Sequence, residues 1–79
     1  MTMESKLSIL DVVALVEDIP SKHLRKGEVG TIVEYLDAGV YDVEFADNLG
    51  RTYALASLRD EQLMLLYTSP APELVGTYE

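Results

Sequence analysis

The chain has 79 residues, 48% hydrophobic and 25% charged, a size and composition that suit one folded domain with one core and no second. Fourteen acidic against six basic residues give a formal charge of −8, a field that repels phosphate backbones and suits solubility or a basic protein partner, so nucleic acid is a disfavoured ligand. Cysteine is absent, which excludes disulfides, thiolate metal sites and a cysteine nucleophile. With no signal-peptide pattern in Met1 to Ser8 and no bilayer-length apolar run, the expectation is a cytoplasmic protein addressed to no membrane.

The first element is Asp11 to Val16, where β-branched residues in a short apolar run favour a strand. Val13 and Leu15 are placed inward, although Val12, Ala14 and Val16 make a similar set and a barrel strand is sometimes covered on both sides. Glu17 to Gly30 has no sustained period and contains Pro20 and Gly27, so it reads as a long loop with Ile19 and Leu24 tucked beneath it. Gly30 opens a second strand running through Tyr35, with Val29 and Ile32 as core choices and the glycines at turn or bulge positions.

Asp37-Ala38-Gly39 separates that strand from Val40 to Ala46 and suits a tight hairpin with glycine in the left-handed position. In Tyr41-Asp42-Val43-Glu44-Phe45 apolar and acidic residues alternate, which sends the apolar three to the core and the acidic two to water. Asp47-Asn48-Leu49-Gly50 is a second turn, and Arg51 to Ala56 returns as a strand carrying Tyr53 and Leu55. Ser57 is a cap for a short helical turn through Asp60 or Glu61 that places Leu58 inward, before Leu63 to Tyr67 closes the fold. A helix over Leu58 to Leu66 is the rival reading. The proline-containing stretch after Tyr67 reads as a flexible tail, like residues 1–8, with Leu74, Val75 and Tyr78 as candidates for docking on a neighbour.

The expected architecture is therefore mainly β: a small five-stranded barrel over residues 9–67, with a long first loop and a short helical turn before the last strand. Leu24-Arg25-Lys26-Gly27-Glu28-Val29-Gly30-Thr31-Ile32-Val33-Glu34 resembles the turn-and-strand signature of KOW-type and other SH3-like barrels. Asp11 to Leu66 as a whole resembles a family of short bacterial proteins catalogued as a domain of unknown function. The phrases that carry this are Asp11-Val12-Val13-Ala14-Leu15, Glu17-Asp18-Ile19-Pro20, Gly27 to Glu34 and Tyr41 to Phe45. The strand and helical-turn order is also similar to the barrel domain of the nitrile hydratase β subunit. The catalytic metal of those enzymes lies in the partner subunit, so that resemblance implies a fold and no catalytic residue, metal ligand or cofactor here.

Chemistry-bearing residues are few. His23 is the single histidine, with no nucleophile-elbow sequence near Ser21 or Ser57 to pair with it, and it reads as a loop residue. Asp42 and Glu44 share a strand face, with Glu17 and Asp18 as possible neighbours for acid and base work, but an alternating strand leaves such carboxylates in water, where no burial raises a pKa. Asp47 to Gly50 lacks the later ligands of a calcium loop. Gly27 and Gly30 open no phosphate-binding helix. Lys22, Arg25 and Lys26 hold half of the six positive charges and are candidates for a local anion contact.

The function expected from these features is a non-enzymatic protein-interaction module. It would be the acidic regulatory, antitoxin or immunity partner of a basic protein, contacting it through Glu17, Asp18, His23, Asp42 and Glu44 on the long loop and the acidic strand face. The alternative is KOW-like binding of RNA, ribosome or transcription components through Lys22, Arg25 and Lys26, with Tyr35 or Tyr41 for stacking. A sheet edge left to cover is also compatible with a homodimer.

Overall fold

In the computed structural model residues 7–68 are described; the expectations for residues 1–6 and 69–79, including Leu74, Val75 and Tyr78, lie outside them. Five strands form one antiparallel sheet: β1 (Val12–Leu15), β2 (Val29–Asp37), β3 (Val40–Ala46), β4 (Thr52–Arg59) and β5 (Leu63–Tyr67), in the order β4-β3-β2-β1-β5. Two 3-10 turns, Pro20–Lys22 and Asp60–Gln62, are the helical elements among the described residues. No helix among those residues is long and apolar enough to cross a membrane. The mainly-β, five-stranded architecture with a long first loop and a short helical turn before the last strand is thus the observed one.

The sheet is rolled, and chain geometry demands it. β4 and β5 stand at opposite edges of the hydrogen-bonding order, which in a flat five-stranded sheet would put them about 19 Å apart. Yet Arg59 and Leu63 are joined through Asp60–Gln62 alone, a link that reaches about 14 Å when fully extended. No ladder joins β4 to β5 among the described residues, so the seam between them is open. Ala56 and Leu58 of β4 and Leu63 of β5 nevertheless belong to the same buried cluster as Val13, Ile32, Tyr41, Val43 and Phe45.

β3 forms the back of this core as its alternation requires: Tyr41, Val43 and Phe45 are fully buried, each stabilising the fold by roughly 1.5–3 kcal/mol through leaving water. On β1, Val13 and Leu15 face inward as expected, and Ala14 is buried too, lying between Val29 and Met64 in the register of its two neighbours. Ile19 and Leu24 are buried beneath the long loop and pair with each other across it. Leu7, before the first strand, joins the core as well.

Two expectations are corrected, and β4 shows a parity that the sequence reading left open. Val29 is 46% exposed, because Gly30 takes the inward position opposite Val13. A Cβ at Gly30 would lie 2.7 Å from Val43 Cγ1 and 3.0 Å from Phe45 Cδ2, so the space that a side chain would need is filled from β3. On β4, Tyr53 and Leu55 are exposed at 53% and 57%, while Ala54, Ala56 and Leu58 face Phe45, Val43 and Tyr41 across the ladder. A register shift between Phe45 and Ala46 sets this parity, and the two alanines leave room for the larger side chains opposite. Finally, Leu58 turns inward as part of the strand rather than of a helical turn capped by Ser57. The turn starts at Asp60, with the Arg59 N–H donating to Gln62 Oε1 at 2.9 Å.

Replacing Gly30 by alanine is expected to lower stability by about 1–3 kcal/mol through overpacking against Val43 and Phe45, read as a lower urea midpoint at unchanged slope. Gly50→Ala is the comparison: a Cβ there meets nothing within 4 Å, so it carries only the cost of the left-handed backbone, about 1 kcal/mol.

Candidate functional site

The long loop is tied down by backbone geometry and by two acidic side chains. The Ile19 N–H donates to the Leu24 carbonyl at 2.8 Å, and His23, at φ 60°, donates to the Pro20 carbonyl at 3.1 Å. Asp18 Oδ1 accepts from the Lys26 N–H at 2.8 Å, closing the loop's mouth. Glu17 points elsewhere, its Oε2 accepting from Gln62 Nε2 at 3.1 Å in the second 3-10 turn. What the loop presents is a surface hollow of about 330 Å³ lined by Asp18, Pro20, His23, Leu24 and Arg25.

Lys22, Arg25 and Lys26 all lie exposed on this loop and pair with no carboxylate among the described residues. The acids nearest in sequence bind backbone instead: Glu28 Oε2 accepts from the Arg25 N–H at 2.8 Å. The other oxygen, Oε1, accepts from the Tyr53 hydroxyl at 2.6 Å, so one side chain links the loop to β4. Sequence reasoning missed this link, since the two residues lie 25 positions apart and nothing local marks their approach. The Tyr53 phenol is pushed up to about 12, first by its hydrogen bond to Glu28, then by burial and by the charges of Glu28 and Asp47.

Asp42 and Glu44 occupy the outer face of β3, away from the core, as the alternation requires. Asp42 Oδ1 accepts from the Ser57 hydroxyl at 2.8 Å, and Glu44 Oε2 from the Thr52 hydroxyl. Across the ladder Asp42 stands directly opposite Glu34 of β2, a residue the sequence reading did not single out. Glu34, Asp42 and Glu44 therefore form an acidic stripe on β2 and β3. Glu17 and Asp18 do not join it, since their carboxylates are engaged at the second 3-10 turn and the loop mouth. His23 and Asp18 share the loop hollow; Glu44 instead borders a separate outer-face groove of about 400 Å³ with Val12, Val29, Thr31 and Tyr67.

Two other carboxylates are structural. Asp47 Oδ1 accepts from the N–H groups of Leu49 and Arg51, both at 2.9 Å, and Oδ2 from Arg51 Nε at 3.1 Å. The Arg51 N–H leads in holding its pKa below the ordinary 3.8; burial opposes it, and the Leu49 N–H and then the Arg51 side chain add to the lowering. The expected turn at Asp47 to Gly50 is present, and the Asp47 side chain holds it. Asp11 is buried, and its Oδ2 accepts from the Ser8 N–H at 2.9 Å, which closes the turn leading into β1. No grouping of three or more His, Asp or Glu residues suited to a metal ion occurs among the described residues.

Residues 9–65, about seven tenths of the chain, match the model of a family described as a domain of unknown function, DUF4926, and the chain belongs to that family. No curated protein and no solved structure matches it.

The fold favours the protonated Tyr53 phenol, so its contribution is complete below pH 10.0, the ordinary value, and is lost as pH rises toward about 12. Urea midpoints followed through the alkaline range are expected to fall in the parent chain, and to lose that part of the fall in Tyr53→Phe. In Glu28→Gln, the Tyr53 phenol is expected to titrate closer to its ordinary value, read by NMR against Tyr53→Phe.

Proposed function

We propose that this member of the family is a non-catalytic protein-interaction module that receives a basic partner on the outer face of β2 and β3. The observation that carries the reading is the direct cross-strand pairing of Glu34 with Asp42, with Glu44 two residues further along the same face of β3. Like charges placed opposite each other in a ladder destabilise it by several tenths of a kcal/mol.

Among the described residues no cation pairs with these carboxylates to offset that repulsion. The chain's ion pairs among those residues are Arg51 with Asp47 and Arg59 with Glu61, both 3.1 Å long and both away from the stripe. Ser57 and Thr52 orient two of the carboxylates by donating to them and leave their charge in place. A cationic partner would relieve the repulsion on binding, and the surrounding charge of −8 would accelerate its approach. These features fit the acidic regulatory, antitoxin or immunity partner of a basic protein. The loop hollow around His23 supplies an uncommitted second contact held on a rigid scaffold.

The test is a paired capture experiment with the tagged parent chain and the double variant Asp42→Lys/Glu44→Lys, at low and moderate salt, read by mass spectrometry. The parent is expected to retain a basic protein in stoichiometric amount, with recovery falling as salt screens the contact, and the variant to lose it at least tenfold. Equal recovery by a folded variant would place the contact elsewhere and remove this reading.

A further inference from the structure

Across the outer face of the sheet, Tyr67, Val12, Thr31, Glu44 and Leu55 stand opposite one another in turn on β5, β1, β2, β3 and β4. None of the five belongs to the buried core. The groove of about 400 Å³ follows this row from Tyr67 to Glu44, and Val29 and Ala46 add to its walls. That is enough room for a ligand group or a partner's side chain, since such sites commonly span roughly 300–1,000 Å³.

The chemistry of the groove changes along its length. Val12, Val29 and the Tyr67 ring make one part apolar, and Glu44 is the one charged side chain of the lining among the described residues. Arg51, which follows the groove's Gly50 in the chain, is held by Asp47 at 3.1 Å, and among the described residues no cation pairs with Glu44. The Thr52 hydroxyl donates to Glu44 Oε2, which orients the carboxylate and leaves Oε1 without a partner among those residues.

An aliphatic stem that ends in a positive charge matches this order, the stem lying on the valines and the aromatic ring and the charge meeting the carboxylate. The net charge of −8 favours the approach of such a group. We propose that the groove seats one lysine side chain of the basic partner, a finer statement that rests on the function proposed above. Lysine fits better than arginine because Thr52 already draws on one oxygen of Glu44. A guanidinium grips both oxygens of a carboxylate with two parallel bonds, whereas an ammonium is a point charge that needs only Oε1.

The experiment is an NMR titration of the isotope-labelled full chain with capped tetralysine and, separately, capped tetraarginine. Tetralysine is expected to shift the methyl signals of Val12 and Val29 and the ring signals of Tyr67, and to bind more tightly than tetraarginine. Tyr67→Ser is expected to weaken tetralysine about two- to fivefold, as the loss of an exposed cation–ring contact does, and Val29→Ser to weaken it as well. Glu44→Gln is expected to abolish the groove shifts, whereas Asp42→Asn, on the stripe but outside the groove, keeps them. Amide spectra establish that each variant is folded; if Tyr67→Ser is not, Tyr67→Leu removes the ring in its place. Shifts confined to the surroundings of Glu34 and Asp42, with both groove variants binding like the parent, would overturn the inference and leave the acidic stripe as the contact. No shift with tetralysine, or tighter binding of tetraarginine, would overturn it too. Tetralysine seated in the groove of a chain that captures no basic protein would support the site and remove the proposed partner instead.

Discussion

The short link between β4 and β5 constrains everything else in the molecule, because it holds together two strands that the hydrogen-bonding order places farthest apart. Once the sheet is forced to roll, its concave side has room for only a limited set of side chains. Tyr41, Val43 and Phe45 from β3 take the centre, Ile32 and Leu58 fill two of the neighbouring inward positions on β2 and β4, and the others are left to Gly30, Ala54 and Ala56. The small residues are therefore consequences of curvature. At Gly30 the space that a side chain would need is already filled by Val43 and Phe45, so adding a single methyl group is felt there.

The same roll divides the polar chemistry into two kinds. Asp11, Asp18, Glu28, Asp37 and Asp47 each accept from a backbone N–H at a turn or loop closure, satisfying donors that no ladder reaches. Part of the acidity is thus structural, a set of carboxylates that fold the connections. The stripe of Glu34, Asp42 and Glu44 is different, since it sits on strands whose backbones are already paired and contributes to no turn. That contrast separates the acids explained by the fold from those that the fold tolerates at a cost.

Features governed by a local period or by turn chemistry were legible in the sequence. The strict alternation of β3, the hairpin at Gly39 and the turn held by Asp47 all appear where their residues indicated, because each depends on neighbours within a few positions. Parity on β2 and β4 was not legible, for it rests on a glycine used as an inward residue and on register shifts that leave no mark in composition. For the candidate site the division is similar. Asp42 and Glu44 were readable from alternation, whereas the pairing of Asp42 with Glu34 depends on a shift between Ile32 and Glu34. The bond from Tyr53 to Glu28 joins segments that meet only after folding.

β1 lies between β2 and β5, so the first strand made is flanked by the last. During synthesis the meander of β2, β3 and β4 can assemble as it emerges, but β1 keeps one side uncovered until Leu63 to Tyr67 has left the ribosome. Closing that ladder means joining segments separated by most of the chain, the kind of non-local contact that slows folding. The last ladder to close is therefore a non-local one, and losing even the last few residues of β5 would uncover part of the strand on which the sheet began.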